Sequence, residues 1–155
     1  MKKMVALYPG TVYQAGDPLF LASLCNHYVL RTFDGMYVDG KSNGLSRSIF
    51  NSLVLKHAQG ACLSDVADVG WIHGQSPLAV GQIVNNGNAV FQPNVRYQEL
   101  NLPPDLPSHF RQFIPNIHYH QNWDPFQDFT RVVVLISNRA ISNEELFSTY
   151  HEFVD

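Results

Sequence analysis

Apolar and polar positions along this chain change over in short runs, and the repeat of a helix face is scarce. Residues 4–8, Met-Val-Ala-Leu-Tyr, read as a strand that Pro9-Gly10 brings to a stop. Two aromatic and apolar runs at 27–33 and 36–40 flank Asp34-Gly35, the pattern of a hairpin around an Asp-Gly turn. Residues 95–100 supply another strand. Residues 132–136, Val-Val-Val-Leu-Ile, supply one so apolar and β-branched that it belongs in the middle of a sheet. Helix candidates are few: short segments at 17–24 and 46–55. The tetrad Ser142-Asn143-Glu144-Glu145 has the composition of a helix start or a tight turn. Residues 44–76 read as a polar, irregular insertion. Residues 101–129 hold five of the nine prolines and read as a long ordered loop with room for one helical turn. The expectation is a single domain over residues 1–155, mainly β with short helices and two long excursions.

Composition agrees with a folded domain and narrows the partners. Of the 155 residues, 45% are hydrophobic and 15% charged, enough to build a core. Ten basic against thirteen acidic residues leave a net charge of -3, which disfavours direct nucleic-acid binding and adhesion to anionic membrane. Two lysines precede an apolar run at the start, but Pro9-Gly10 cuts it short of a signal peptide's apolar region. No run approaches the length of a membrane span. Cys25 and Cys62 form neither a CxxC pair nor a disulfide framework. The expected setting is intracellular, in nucleus or cytoplasm.

The candidate chemistry begins where the apolar run Ile83-Val84 ends in Asn85-Asn86. Alone, that pair is explained by a turn, since Asn satisfies nearby backbone groups and tolerates left-handed dihedrals. The segment continues as IVNNGNAVFQPNVRY, and near the other end stands AISNEELFSTY. Together they resemble the signature of the SET-domain protein-lysine methyltransferases. That signature is an Asn-His-Ser-Cys-x-Pro-Asn segment, a strand, and an Ile-x-x-Gly-Glu-Glu-Leu-x-x-x-Tyr segment. VALYPGTVY is similar to the family's second strand, and MYVDGKSNGLS to its strand ending in an aspartate. The resemblance extends over nearly the whole chain. Departures are Asn86 for His, Gly87-Asn88 for Ser-Cys, extra residues before Pro93-Asn94, and Asn143 for the Gly before Glu-Glu.

The resemblance implies a SET fold of small curved sheets with a C-terminal pseudoknot, in which the chain's end is threaded beside Asn85. It also implies that the family's first strand, which carries a Gly-x-Gly, lies upstream of Met1 and is missing from this chain. The implied activity is S-adenosyl-L-methionine-dependent methylation of lysine on a protein or peptide. Tyr150 then matches the catalytic tyrosine, and Tyr8 and Tyr97 the walls of the lysine channel. Asn85, Asn86, Tyr150 and Phe153 match cofactor contacts. Each tyrosine is also compatible with an interior aromatic whose hydroxyl is satisfied, and Phe153 with plain packing. The rival implication is a SET-like module without catalysis that serves as an interaction domain.

Other signals carry less. His118-Tyr119-His120 has ligand spacing but no third ligand, so no metal is expected. Asp65 and Asp68 fit a solvated surface. Phe110, Phe113, Trp123 and Phe126 in the proline-rich excursion either dock a partner or pin the loop to the body.

Overall fold

The computed structural model describes residues 2–58, 76–111, 113–120 and 129–149. Thirteen short elements follow in the order β1 (Met4–Leu7), β2 (Gly10–Tyr13), α1 (Phe20–Ser23), β3 (Val29–Arg31), β4 (Tyr37–Asp39) and α2 (Gly44–Ala58). After them come a single 3-10 turn (Gly81–Ile83), β5 (Asn85–Asn86), β6 (Val95–Leu102), α3 (Ser108–Arg111), β7 (Asn116–His118), β8 (Thr130–Ser137) and β9 (Phe147–Ser148). The fold is mainly β, with small sheets and few helices.

The β-branched run lies in β8, the middle strand of the sheet β1-β8-β6, antiparallel to both neighbours. Its side chains alternate between two apolar layers. Val133 and Leu135 turn toward Tyr8, Val12, Val38, Ala6 and Val95, whereas Val132 and Val134 pack with Leu7. Burial on both faces accounts for a strand without polar alternation. On the Val132 face, Met4, Leu100, Phe110 and Phe113 border an apolar groove of about 450 Å³.

The second sheet runs β3-β4-β2-β7. Its hairpin, β3 and β4, pairs Val29 with Asp39 and Arg31 with Tyr37 around the expected Asp34-Gly35 turn, where Gly35 has φ +86. Pro9-Gly10 does not end the strand region: the chain re-enters a sheet at once as β2. Gly10 makes that possible. It sits at φ +138, and a Cβ there would fall 2.0 Å from the Asp39 carbonyl oxygen, so the approach of β2 to β4 admits no side chain. β7 joins β2 in parallel within the stretch expected to be loop.

Two further expectations are refined. The helix expected at 46–55 is present as α2, which spans 15 residues and buries Ser46, Phe50, Leu53 and Val54 along one stripe, so the segment read as an irregular insertion begins with a regular helix. Of the two readings of residues 142–145, the turn is the one found, with Asn143 at φ +51 and no helix start. The remaining part of the insertion, with Cys62, Asp65 and Asp68, lies outside the described residues, as do Trp123 and Phe126. Phe110 and Phe113 stay half-exposed at the rim of the groove.

The hairpin tip is fastened to the first sheet by charge. Arg131 on β8 reaches Glu99 on β6 at 2.6 Å and Asp34 at the tip at 3.2 Å, while the Phe33 N–H donates to Glu99 at 2.8 Å. Burial pushes the Asp34 carboxyl upward, but the Thr32 hydroxyl and Arg131 outweigh it and hold the carboxyl below its ordinary value. A carboxylate with a depressed folded value stabilises above its unfolded pKa and loses that contribution as pH falls through the folded one. Asp34→Asn is therefore expected to cost below about 1 kcal/mol at pH 7, in keeping with a solvent-screened pair. The difference from the parent should shrink and disappear as pH falls through the depressed folded value of Asp34, as followed by urea denaturation across the acid range.

Candidate functional site

Asn85-Asn86 and the Glu144-Glu145-Leu146-Phe147-Ser148 segment meet in space. β5 and β9 pair in parallel, Asn85 opposite Phe147 and Asn86 opposite Ser148. The Gly87 N–H extends the pairing to the Ser148 carbonyl at 2.7 Å. On the other side of β9, Asn94 takes up the backbone: its N–H donates to the Phe147 carbonyl and its Oδ1 accepts the Phe147 N–H, both at 2.9 Å. Its Nδ2 donates to the Glu145 carbonyl at 2.8 Å, and its own carbonyl accepts from Asn138 at 2.8 Å. The two limbs of the 85–94 loop thus hold one short strand between them.

Asn94 is only 2% exposed and uses both backbone groups and both ends of its amide. The motif Pro93-Asn94 is visible in the sequence, but its role as the clamp is not, because its partners lie 51 and 53 residues away. Apolar packing supports the same joint: Leu146 and Ile141 rest on Ala6, Val84, Val95 and Leu135.

The turn ahead of β9 explains one departure from the family pattern. Asn143 has φ +51, a left-handed conformation that Gly adopts freely and Asn tolerates better than other side chains. Asn therefore stands where Gly is usual without altering the backbone path. Beside it, Arg139 engages both oxygens of Glu144, at 2.5 and 2.6 Å, and its guanidinium holds that carboxyl below the usual range.

Successive residues of a strand point to opposite faces, and β9 uses both. Ser148 is fully buried and donates through its hydroxyl to the Tyr97 hydroxyl at 3.4 Å. The Tyr97 ring in turn meets the edge of Tyr8, with centroids 6.2 Å apart and planes at 71°. Tyr8 is 4% exposed and donates to the Tyr28 carbonyl at 2.9 Å, which fixes its ring. Phe147 faces the other way. It stacks on Phe91 at 5.1 Å and 9°, next to Asn85, whose amide nitrogen donates to Glu145 at 2.8 Å.

The sequence-derived site residues therefore fall into groups. Asn85 and Asn86 lie along β9, with both side chains exposed. Tyr8 and Tyr97 lie together beneath Ser148. Tyr150 and Phe153 lie outside the described residues. His118 is buried in β7, and His120 Nδ1 lies 3.6 Å from Asp17. No helix among the described residues is long and apolar enough to cross a membrane.

Small sheets around a buried central strand, with a late strand clamped between an Asn-Asn pair and a Pro-Asn pair, are the traits of a SET-like module. Sequence comparison agrees. The chain is 38% identical over 154 residues to SET domain-containing protein 9 of Homo sapiens, a match covering 97% of this chain and 50% of that protein. It is equally identical to SET domain-containing protein 9 of Pongo abelii, covering 55% of it. The chain belongs to the SET-domain family, and it spans about half the length of the curated relatives it matches. No family model and no solved structure matches it.

Two stability outcomes follow from this joint. Asn94→Ala strips partners from the Phe147 N–H and the Glu145 carbonyl and is expected to cost about 2–4 kcal/mol in denaturant unfolding. Asn143→Gly should be neutral or slightly stabilising, and Asn143→Ala should cost about 1 kcal/mol. Equal melting temperatures for the two Asn143 variants would contradict the turn argument.

Proposed function

We propose that this chain is the SET module of an S-adenosyl-L-methionine-dependent protein-lysine N-methyltransferase. The observation that carries it is the clamped β9. That strand supports a site in which the Asn85-Asn86 pair on one side and the Tyr8-Tyr97 pair on the other share a single backbone partition. The same two-sided hydrogen bonding supports a threaded C-terminus.

The residues present fit the group. Asn85 offers an exposed amide, Glu145 a carboxylate and Phe91 an open ring face, acceptors and a platform that suit a nucleoside bearing an amino-acid tail. When bound, S-adenosyl-L-methionine supplies an electrophilic methyl group. The protein's share is to position and desolvate a lysine amine. Tyr8 and Tyr97 wall the approach with rings that disfavour a hydrated ammonium and lower its pKa, while their faces tolerate residual charge. Their hydroxyl partners, the Tyr28 carbonyl and Ser148, hold both rings without side-chain searching. Alignment of this kind lowers the barrier by several kcal/mol. Tyr150 follows Ser148 by two residues and takes the catalytic role in this proposal, with Phe153 beside the cofactor. The partner is a protein or peptide carrying the target lysine, and the setting is intracellular.

A second reading, an interaction module without catalysis, is favoured by Tyr8, whose near-complete burial also suits a purely interior aromatic. Calorimetry separates the two. Binding of S-adenosyl-L-methionine is expected, with Tyr150→Phe retaining that binding while losing at least about tenfold in methylation of mixed protein substrate. Absence of heat at millimolar cofactor would remove the enzyme reading.

A further inference from the structure

Asp39 closes the segment that resembles the family's aspartate-ended strand, and the proposed reaction leaves that segment without a part. Gly40 follows it, buried. The backbone does not ask for glycine there: Gly10, Gly16, Gly35 and Gly44 have positive φ, and Gly40 does not. The reason is room. A Cβ at residue 40 would lie 2.7 Å from Cε1 of the Tyr8 ring, 3.0 Å from Cβ of Gln82 and 3.1 Å from the Pro9 carbonyl oxygen. The last two atoms belong to the backbone or sit directly on it, so the ring would have to give way.

That ring is tied. Its hydroxyl donates to the Tyr28 carbonyl at 2.9 Å, and Tyr97 stands edge-on with centroids 6.2 Å apart. The Tyr28 carbonyl accepts a second bond, from the Gly40 N–H, also at 2.9 Å. Gly40 therefore meets Tyr8 twice: it bounds the ring edge, and it holds the oxygen to which the hydroxyl is tied. The Tyr28 N–H is taken by Asn26 Oδ1 at 3.0 Å, and Asn26 Nδ2 donates to Asp39 Oδ1 at 2.8 Å and to the Ala22 carbonyl at 2.9 Å. Asp39 is 3% exposed, and its Oδ1 also accepts the Lys41 N–H at 3.1 Å. The residues on both sides of Gly40 are thus fixed, and Asn26 closes a circuit between them and the Tyr28 peptide.

We infer that Gly40 is a positioning residue for the lysine amine. Supported by Asn26 and Asp39, it sets the tilt of the Tyr8 ring, and with it the wall past which an unbranched alkylamine comes. Its part in the reaction rests on the methyltransferase reading, to which it adds a residue that acts only through Tyr8. A methyl group at residue 40 displaces that wall, and a misplacement of about 1 Å can lower a rate by about a hundredfold.

The test places Gly40→Ala in the parent and in Tyr8→Leu, whose shorter side chain has no atom where Cε1 stands. The four proteins are compared by thermal melting, by NMR of ring-labelled tyrosine, by calorimetry with S-adenosylhomocysteine, and by methyl transfer to mixed protein substrate. In the parent background Gly40→Ala is expected to move the Tyr8 ring signal, identified by its loss in Tyr8→Leu. It should lower turnover about tenfold or more, with KM for S-adenosyl-L-methionine and binding of S-adenosylhomocysteine unchanged. In the Tyr8→Leu background the same substitution should lower neither turnover nor melting temperature further, the mark of action through one side chain. If Gly40→Ala alone melts too low to assay, the melting comparison still decides, since the loss must be relieved in Tyr8→Leu. An unmoved ring signal, undiminished turnover, or an equal melting loss in both backgrounds would overturn the positioning role and leave the methyltransferase reading intact. A parent that binds no S-adenosylhomocysteine would overturn that reading, and this inference with it.

Discussion

The joint between Asn94 and β9 is the constraint on which the rest depends. A two-residue strand has almost no stability of its own, since each residue fixed costs about 1–2 kcal/mol of backbone entropy. β9 is held because it is bonded on both edges, by β5 on one side and by a buried asparagine side chain and backbone on the other. An amide suits this place better than a carboxylate or hydroxyl. It accepts the Phe147 N–H and donates to the Glu145 carbonyl at once, copying the hydrogen-bond pattern of a neighbouring strand.

Once β9 is fixed, the alternation of its side chains divides the labour. Ser148 inward and Phe147 outward are adjacent in sequence, yet they serve separate surfaces, one joined to Tyr97 and Tyr8 and the other to Phe91 and Asn85. A displacement of β9 by one residue would exchange the two faces and dismantle both. The clamp therefore specifies register as much as stability, which is the demand placed on any site that must align two reactants across a partition.

Much of this was legible in the residues. The apolar run of β8 announced a central strand, Asp34-Gly35 announced its hairpin, and the Asn-Asn and Glu-Glu-Leu segments announced that two distant stretches belong together. What stayed hidden was hidden for physical reasons. β2 follows Pro9-Gly10, ordinarily a stop signal, and only the contact of Gly10 with the Asp39 carbonyl reveals why glycine is there. β7 is three residues in a proline-rich stretch and exists by virtue of its parallel partner β2. The helix α2 was expected, but not its reach to Gly44 and Ala58, nor that its buried stripe includes Ser46, a polar residue that bonds to Asn26. In each case the deciding partner is remote in sequence.

The departures from the family pattern show the same logic at the site itself. Asn143 keeps the left-handed turn that glycine otherwise supplies. Gly87 does the reverse, standing where a side chain is usual, because a Cβ there would lie 2.6 Å from the Pro93 ring and 3.0 Å from the Phe91 carbonyl. The extra residues before Pro93-Asn94 have to be folded back so that Asn94 still reaches β9, and the close return of Phe91 and Pro93 over residue 87 is how that is done. The loop's exposed aromatic and the missing side chain are thus two consequences of one requirement: the insertion must begin and end at the two edges of the same clamped strand.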